Sequence, residues 1–236
     1  MLFRSAVAID ILLADPPADE RLLKALQNIP NLVLPCQLLP NGTWEYPLKE
    51  FSTGAAAIGH VQRPVARLSD GISREPNLEE IGKGDRRWAL ALEAFRLASG
   101  KTSVLESPQD LTIANTVIPA PRTDEGRMMR IRYMPEGTLP RVSVLQLIQN
   151  PSVVKDKTVF VGITDQSATR DRLESPFGPV AGVAVHQYAY ETLASGEFLS
   201  PAGYGIVLIV CALFVAVPPL VFARFSLPLA YPMVVA

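Results

Sequence analysis

The sequence predicts an α/β domain, with a mixed, largely parallel sheet flanked by helices, followed by C-terminal transmembrane helices. Three observations carry this. Short apolar, β-rich runs alternate with stretches of helical period along the first 199 residues, the alternation expected of α/β folds. The opening residues read strand, helix, strand, which is a βαβ unit and so a right-handed parallel crossover. Finally, the 236-residue chain carries 22 basic and 23 acidic side chains, yet Arg224 is the only charge from residue 205 onward.

Residues 6–12 form the first apolar run, with Asp10 inside it, and Asp15-Pro16-Pro17 ends it. Leu22, Leu23 and Leu26 fall at helical spacing within 19–28, and residues 32–36 are a second apolar strand. Beyond these the pattern predicts a helix at 51–58, a strand at 59–65 and a turn at Asp70-Gly71. An amphipathic helix follows at 86–99, with Trp88, Leu92 and Phe95 on one stripe and Gly100 as its stop. Strands are expected at 111–118, 128–134 and 157–164, and helices at 143–149 and 184–194, the last closed by Gly196. A strand so close to the first residue is expected to leave an unpaired sheet edge and to mark residues 1–199 as an N-terminally incomplete domain.

Residues 205–223 are nineteen without a charge. At about 1.5 Å per residue they span roughly 28 Å, close to a hydrocarbon core of about 30 Å. Ser200-Pro201 reads as a cap and first helical residue, so 200–223 is expected to be one transmembrane helix. Pro218 and Pro219 each remove a backbone donor near its far end, and 227–236 reads as the start of a second transmembrane helix. Arg224, between the two apolar runs, belongs on the cytoplasmic side by the positive-inside rule.

Near-neutral charge and the lack of a basic stripe exclude a nucleic-acid partner. Cys36 and Cys211, one in a sheet strand and one in the apolar run, are expected to be free thiols. The chain has no phosphate loop, no G-x-S-x-G and no H-E-x-x-H, and two histidines with two thiols do not make a zinc site. No catalytic residue, cofactor or metal is therefore assigned. Asn41-Gly42-Thr43 reads as a turn.

Chemistry concentrates after the strand ending at Thr164, because ligands in α/β sheets settle beyond the strand C-termini. Asp165, Thr169, Asp171 and Arg172 lie in that polar loop, and Asp10 faces the same crevice. Asp171 and Arg172 read either as ligand contacts or as loop charges that pair to fix a turn. His186 shares a helical face with Gly182, Ala189, Tyr190 and Leu193, so it is a ligand or proton-sensing residue, or a core histidine. Arg130 and Arg132 share one strand face, either as an anion site or as a solvated surface. Asp10, Asp165 and Asp171 would also serve a tethered enzyme with a divalent metal.

At these residues the chain resembles the CHASE type-two domain, the extracytoplasmic sensory module attached to bacterial adenylate cyclases, histidine kinases and some serine/threonine kinases. The likeness rests on Ala8-Ile9-Asp10-Ile11-Leu12, Ile58-Gly59-His60-Val61, Asp70-Gly71-Ile72-Ser73-Arg74 and Tyr133. It is most specific in Val161-Gly162, Asp171-Arg172, Ser175-Pro176-Phe177-Gly178, Pro179, Gly182-Val183 and His186. Ala184 and Tyr188 stand where members often carry an acid and an asparagine, which thins the polar network around His186. The resemblance implies an upstream helix and strand–helix unit, about three helices after the domain, and a cytoplasmic output domain. With it come the remaining expectations: a sensory part of a bacterial inner-membrane receptor, without catalysis of its own. It would act as a homodimer, take a small-molecule or protein signal, and lie outside the cytoplasm over 1–199.

Overall fold

The computed structural model describes residues 5–15, 19–63, 70–135, 137–165 and 171–224. It divides into two compact units, Met1–Leu199 and Ser200–Ala236. The first opens with β1 (Val7–Ile9), α1 (Glu20–Gln27), β2 (Leu32–Leu38), β3 (Trp44–Glu45), α2 (Lys49–Ser52) and β4 (Ala57–His60). It continues through β5 (Glu79–Ile81), β6 (Arg86–Trp88), α3 (Leu90–Ala98), β7 (Leu105–Glu106), β8 (Asp110–Ile113), β9 (Thr116–Pro119), β10 (Arg122–Thr123) and β11 (Gly126–Arg127). It closes with α4 (Val144–Gln149), a 3-10 turn (Pro151–Val154), β12 (Val159–Val161), β13 (Arg172–Ser175), β14 (Gly178–Ala181) and α5 (Gly182–Ser195).

The central sheet is mixed. β1 pairs in parallel with β12 on one side and β2 on the other, and β4 adds in parallel to β2. β3 joins the end of β2 antiparallel. The remaining pairs of strands, β5–β6, β7–β8–β9, β10–β11 and β13–β14, are antiparallel, so parallel pairing is confined to the centre. β1 has neighbours on both sides; the expected unpaired edge is not there.

Side-chain alternation along β2 builds two cores, as the period-2 geometry of a strand requires. Val33, with Ala6 and Ala8, faces the larger one, where Leu90, Leu92 and Phe95 of α3 meet Val185, Tyr188 and Leu193 of α5. Leu32 and Leu34 face the smaller one, with Leu26 of α1 and Phe51 of α2. Asp19 caps α1 by accepting from the Arg21 and Leu22 amides, and Ser143 caps α4 in a reciprocal pair with Gln146. Gly196, at φ 68°, ends α5 as the sequence predicts.

Two differences from the sequence reading have one cause, long-range pairing that overrides local propensity. The helix expected at 51–58 stops at Ser52, because the Ala56 amide bonds Leu32 O and Ala57–His60 join the sheet. Residues 86–88 are a strand paired with β5, and α3 starts only at Leu90. The strand expected at 111–118 is the hairpin β8–β9, turning at Ala114 with φ 56°. Residues 128–134 form no ladder, only one bridge from Met128 to Asn77. Their alternation nevertheless holds, with Met129, Ile131 and Tyr133 buried. Arg130 reaches Glu75 at 2.6 Å and Arg132 pairs with Glu197, so both guanidiniums already have carboxylates.

Arg127 and Glu79 are each 1% exposed, which makes them a buried ion pair with 3.9 Å between Nε and Oε1. The guanidinium donates to Ala120 O at 2.7 Å and Ser107 O at 2.6 Å, so its charge is held by carbonyls as well. Cys36 is buried, its thiol pushed up to about 12 by that burial, and both Cys36 and Cys211 are free.

The described part of the second unit is α6 (Tyr204–Arg224), 21 residues exposed along its length, with a mean hydropathy of 2.9 over its most apolar 18 residues. At 1.5 Å per residue it measures about 31 Å, enough to cross a membrane. It begins at Tyr204 rather than Ser200, with the Ile206 and Val207 amides on Gly203 O, and it runs through Pro218 and Pro219. The second helix expected at 227–236 lies outside the described residues.

Gly59 sets the approach of β4 to α3, since a Cβ there would sit 2.6 Å from Leu90 Cα. Gly59→Ala is expected to cost about 1–3 kcal/mol through backbone displacement. Gly203→Ala, with nothing within 4 Å of its added Cβ, is expected to leave the chemical-denaturation midpoint unchanged.

Candidate functional site

The C-terminal ends of the parallel strands bring together residues far apart in sequence. Asp10 follows β1, its amide bonded to Val161 O at 2.7 Å, and His60 ends β4. α5 opens opposite them. The Gly182 amide donates to Asp171 O at 3.0 Å, and a Cβ on Gly182 would overlap the Asp171 carboxylate. One turn later on the same helix, His186 faces Asp10, with Nε2 at 4.0 Å from Oδ1. The separation is too long for a hydrogen bond and short enough for a strong charge interaction.

These groups line a cavity of about 30 Å³, with Gln62, Arg63 and Asn77 adding polar atoms and Leu78, Ala91, Val185 and Ala189 the apolar wall. That volume holds about two waters. It is an order of magnitude below a pocket for a drug-sized ligand.

Electrostatics follow from burial. Burial pushes the His60 imidazole down to about 3, and the neighbouring His186 adds to this. Burial also lowers His186, against the pull of Asp10 and Asp171. Burial raises the Asp10 carboxyl, His186 offsets part of that, and Asp171 reinforces it. His60 Nδ1 accepts from the Gln62 amide at 3.4 Å, which puts the proton of the neutral ring on Nε2. That Nε2 is buried and has no hydrogen-bond partner among the described residues.

Of the residues the sequence singled out, Asp10, Asp171 and His186 come together here. Asp171 pairs with Arg63 at 2.8 Å, both about half exposed. Arg172 donates instead to Pro179 O at 2.9 Å, bracing the β13–β14 hairpin outside the cavity lining. Asp165 is exposed and also outside that lining, and Thr169 lies outside the described residues. Among the described residues no group of three or more His, Cys, Asp or Glu is arranged to hold a metal ion. Sequence reasoning missed His60, Arg63, Gln62 and Asn77 as site residues. The available signal was the polar His60-Val61-Gln62-Arg63 run that directly follows an apolar strand.

A mixed α/β domain with a small, charged cavity beyond its strand ends is followed in the chain by one helix long and apolar enough to cross a bilayer. The family model for the CHASE2 domain matches residues 4–218, and the chain belongs to that family of extracytoplasmic sensory domains. No curated protein and no solved structure compared with the chain matches it.

Within the family's motifs, structural roles are explicit. Asp70 accepts from the Ile72 amide and pairs with Arg74 at 2.8 Å, and the Tyr133 hydroxyl donates to Ser73 O at 2.7 Å. Ser175 accepts from the Phe177 amide and donates to Gly178 O, which closes the turn between β13 and β14.

Two outcomes follow. Asp171→Ala removes a carboxylate from the N-terminus of α5 and a half-exposed ion pair, each worth under about 1 kcal/mol. It is expected to cost about 1 kcal/mol in a denaturation curve, whereas exposed Glu174→Ala costs nothing measurable. The second outcome concerns pH. A histidine whose pKa is lowered by folding binds its proton more readily when unfolded, so its contribution is complete above the ordinary value of 6.5. For His60 it declines as pH falls from there toward about 3. Asp10 acts oppositely: its raised carboxyl takes a proton first in the folded state, which adds stability as pH falls toward its ordinary value of 3.8. Stability is therefore expected to fall between pH 6.5 and 4.5, by at most about 1.4 kcal/mol per pH unit per histidine. His60→Leu is expected to flatten that slope by one histidine's share.

Proposed function

We propose that the chain is the sensory and membrane portion of a bacterial transmembrane receptor of the inner membrane. The domain over 1–199 stands outside the cytoplasm and α6 crosses the bilayer. A cytoplasmic output domain, such as a nucleotide cyclase or a kinase, receives the signal. Asp10, Asp171 and His186 form the ligand-responsive centre. The signal is a small molecule or a protein, and two copies act together so that their output domains are paired.

The observation that carries this reading is α5. Its first two turns supply Gly182 and His186 to the cavity, and eight residues separate its end from Tyr204, where the apolar helix starts. A signal that favours one arrangement of the cavity by about 1.4 kcal/mol shifts the population tenfold. A helix passes such a displacement along its axis with little loss. The rival, a tethered enzyme using Asp10, Asp165 and Asp171 with a divalent metal, has less behind it, since among the described residues no group of three or more His, Cys, Asp or Glu is arranged to hold a metal ion.

Topology tests the reading. Lys101 is exposed at the end of α3, Cys36 is buried, and Cys211 is replaced by alanine for the purpose. Lys101→Cys is expected to react with a membrane-impermeant maleimide in intact cells whose outer envelope is permeable to it. Reaction only after lysis overturns the proposal.

A further inference from the structure

Residues 132–158 start and finish beside the second half of α5. At the start, the Arg132 amide donates to Thr192 Oγ1 at 3.0 Å and its guanidinium pairs with Glu197. At the finish, the Thr158 hydroxyl lies 2.7 Å from that of Tyr190. The chain leaves the first unit close by, at Leu199, and residues 200–203 lead to Tyr204 and α6. Five peptide steps reach at most about 18 Å. The bilayer that α6 crosses in the reading above is therefore within reach of this end of the domain.

The middle of this segment is α4, none of whose residues is buried. Val144, Leu145 and Ile148 are 68%, 73% and 70% exposed, and at i, i+1 and i+4 they share one stripe of the helix. Arg141 precedes α4 and Lys155 and Lys157 follow it, while Asp156 is the only acid from residue 137 to 158. Both lysines are exposed, and neither has an ion-pair partner among the described residues. An apolar stripe flanked by cations complements a surface that is anionic at its headgroups and apolar beneath them. A second copy of the chain is the poorer match. A helix of six residues is about 9 Å long, and its three aliphatic side chains fall far short of the about 800 Å² per partner that a stable interface buries.

We propose that α4 is a membrane-surface anchor: it lies on an anionic bilayer with Val144, Leu145 and Ile148 sunk to the headgroup–acyl boundary and Lys155 and Lys157 on the headgroups beside it. No covalent bond forms or breaks; apolar burial holds the helix and charge reinforces it. The domain thereby gains a second hold on the membrane besides its tether to α6. This rests on the membrane reading above and adds anionic lipid to its partners.

The test uses the full chain, with Cys211 replaced by alanine, in nanodiscs of equal parts phosphatidylglycerol and phosphatidylcholine. An environment-sensitive fluorophore is attached at Leu145→Cys or, for comparison, at Glu174→Cys, an exposed position in the β13–β14 hairpin beside the cavity. Lipids carrying a nitroxide just below the headgroup are expected to quench the first probe at least about threefold more than the second. In the same labelled chain, Val144→Glu with Ile148→Glu is expected to abolish that excess. Lys155→Gln with Lys157→Gln is expected to lower the docked-to-free ratio by about tenfold. All four side chains are exposed, so these variants keep the fold. Equal quenching of the two probes overturns the proposal. So does an excess that survives the double glutamate variant, or one that is undiminished in phosphatidylcholine alone. A Leu145 probe shielded from water but unquenched by lipid, and only with two chains per disc, identifies a second copy and overturns it as well. Any of these, with Lys101→Cys still labelled from outside, removes the anchor and leaves the sensory reading; labelling only after lysis removes the reading itself.

Discussion

Ala8 sits in the middle strand of the central sheet, opposite Val33 on one side and Phe160 on the other. The first partner is 25 residues away and the second 152. Closing the longer loop costs only about 1.6 kcal/mol more than the shorter, because closure entropy grows with the logarithm of length. That modest difference is repaid by a strand with ladder partners on both sides. Nearly everything else follows from it. Asp10 is delivered to the same edge as the segment leaving β12, α5 packs back over that edge, and the two halves of the chain share one core.

The domain treats two buried charged places differently. Arg127 is locked by backbone carbonyls from Ala120 and Ser107 and by the carboxylates of Glu79 and Glu106, an arrangement that leaves little room for change. Around His186 the contacts are longer, a buried imidazole nitrogen of His60 has no partner among the described residues, and there is spare volume. The first pattern holds a fold together. The second leaves polar atoms without close partners and space beside them.

Much of this was legible in the residues. The α1 helix, the β2 strand, the α5 helix with its Gly196 stop and the apolar C-terminal helix all follow from local signals that the tertiary structure does not oppose. Asp10, Asp171 and His186 were legible because strand ends and helix starts converge in any α/β sheet. The helix expected at 51–58 failed because its alanines serve as sheet residues beside β2, and 86–88 failed because arginine-rich β6 is held by partners in β5 and β7. His60 escaped notice since its place in the site depends on β4 lying beside β2, a fact about pairing and not about the residue. Arg63 became meaningful only with Asp171 beside it, 108 residues later.

The position of β1 also has a consequence in time. A ribosome emits the chain at about 5–20 residues per second, so the central strand exists for roughly 8–30 s before the residues that will flank it on the β12 side. Throughout that interval one edge of an apolar strand is open to any other extended chain. The domain is thus obliged to finish folding after most of it has been made.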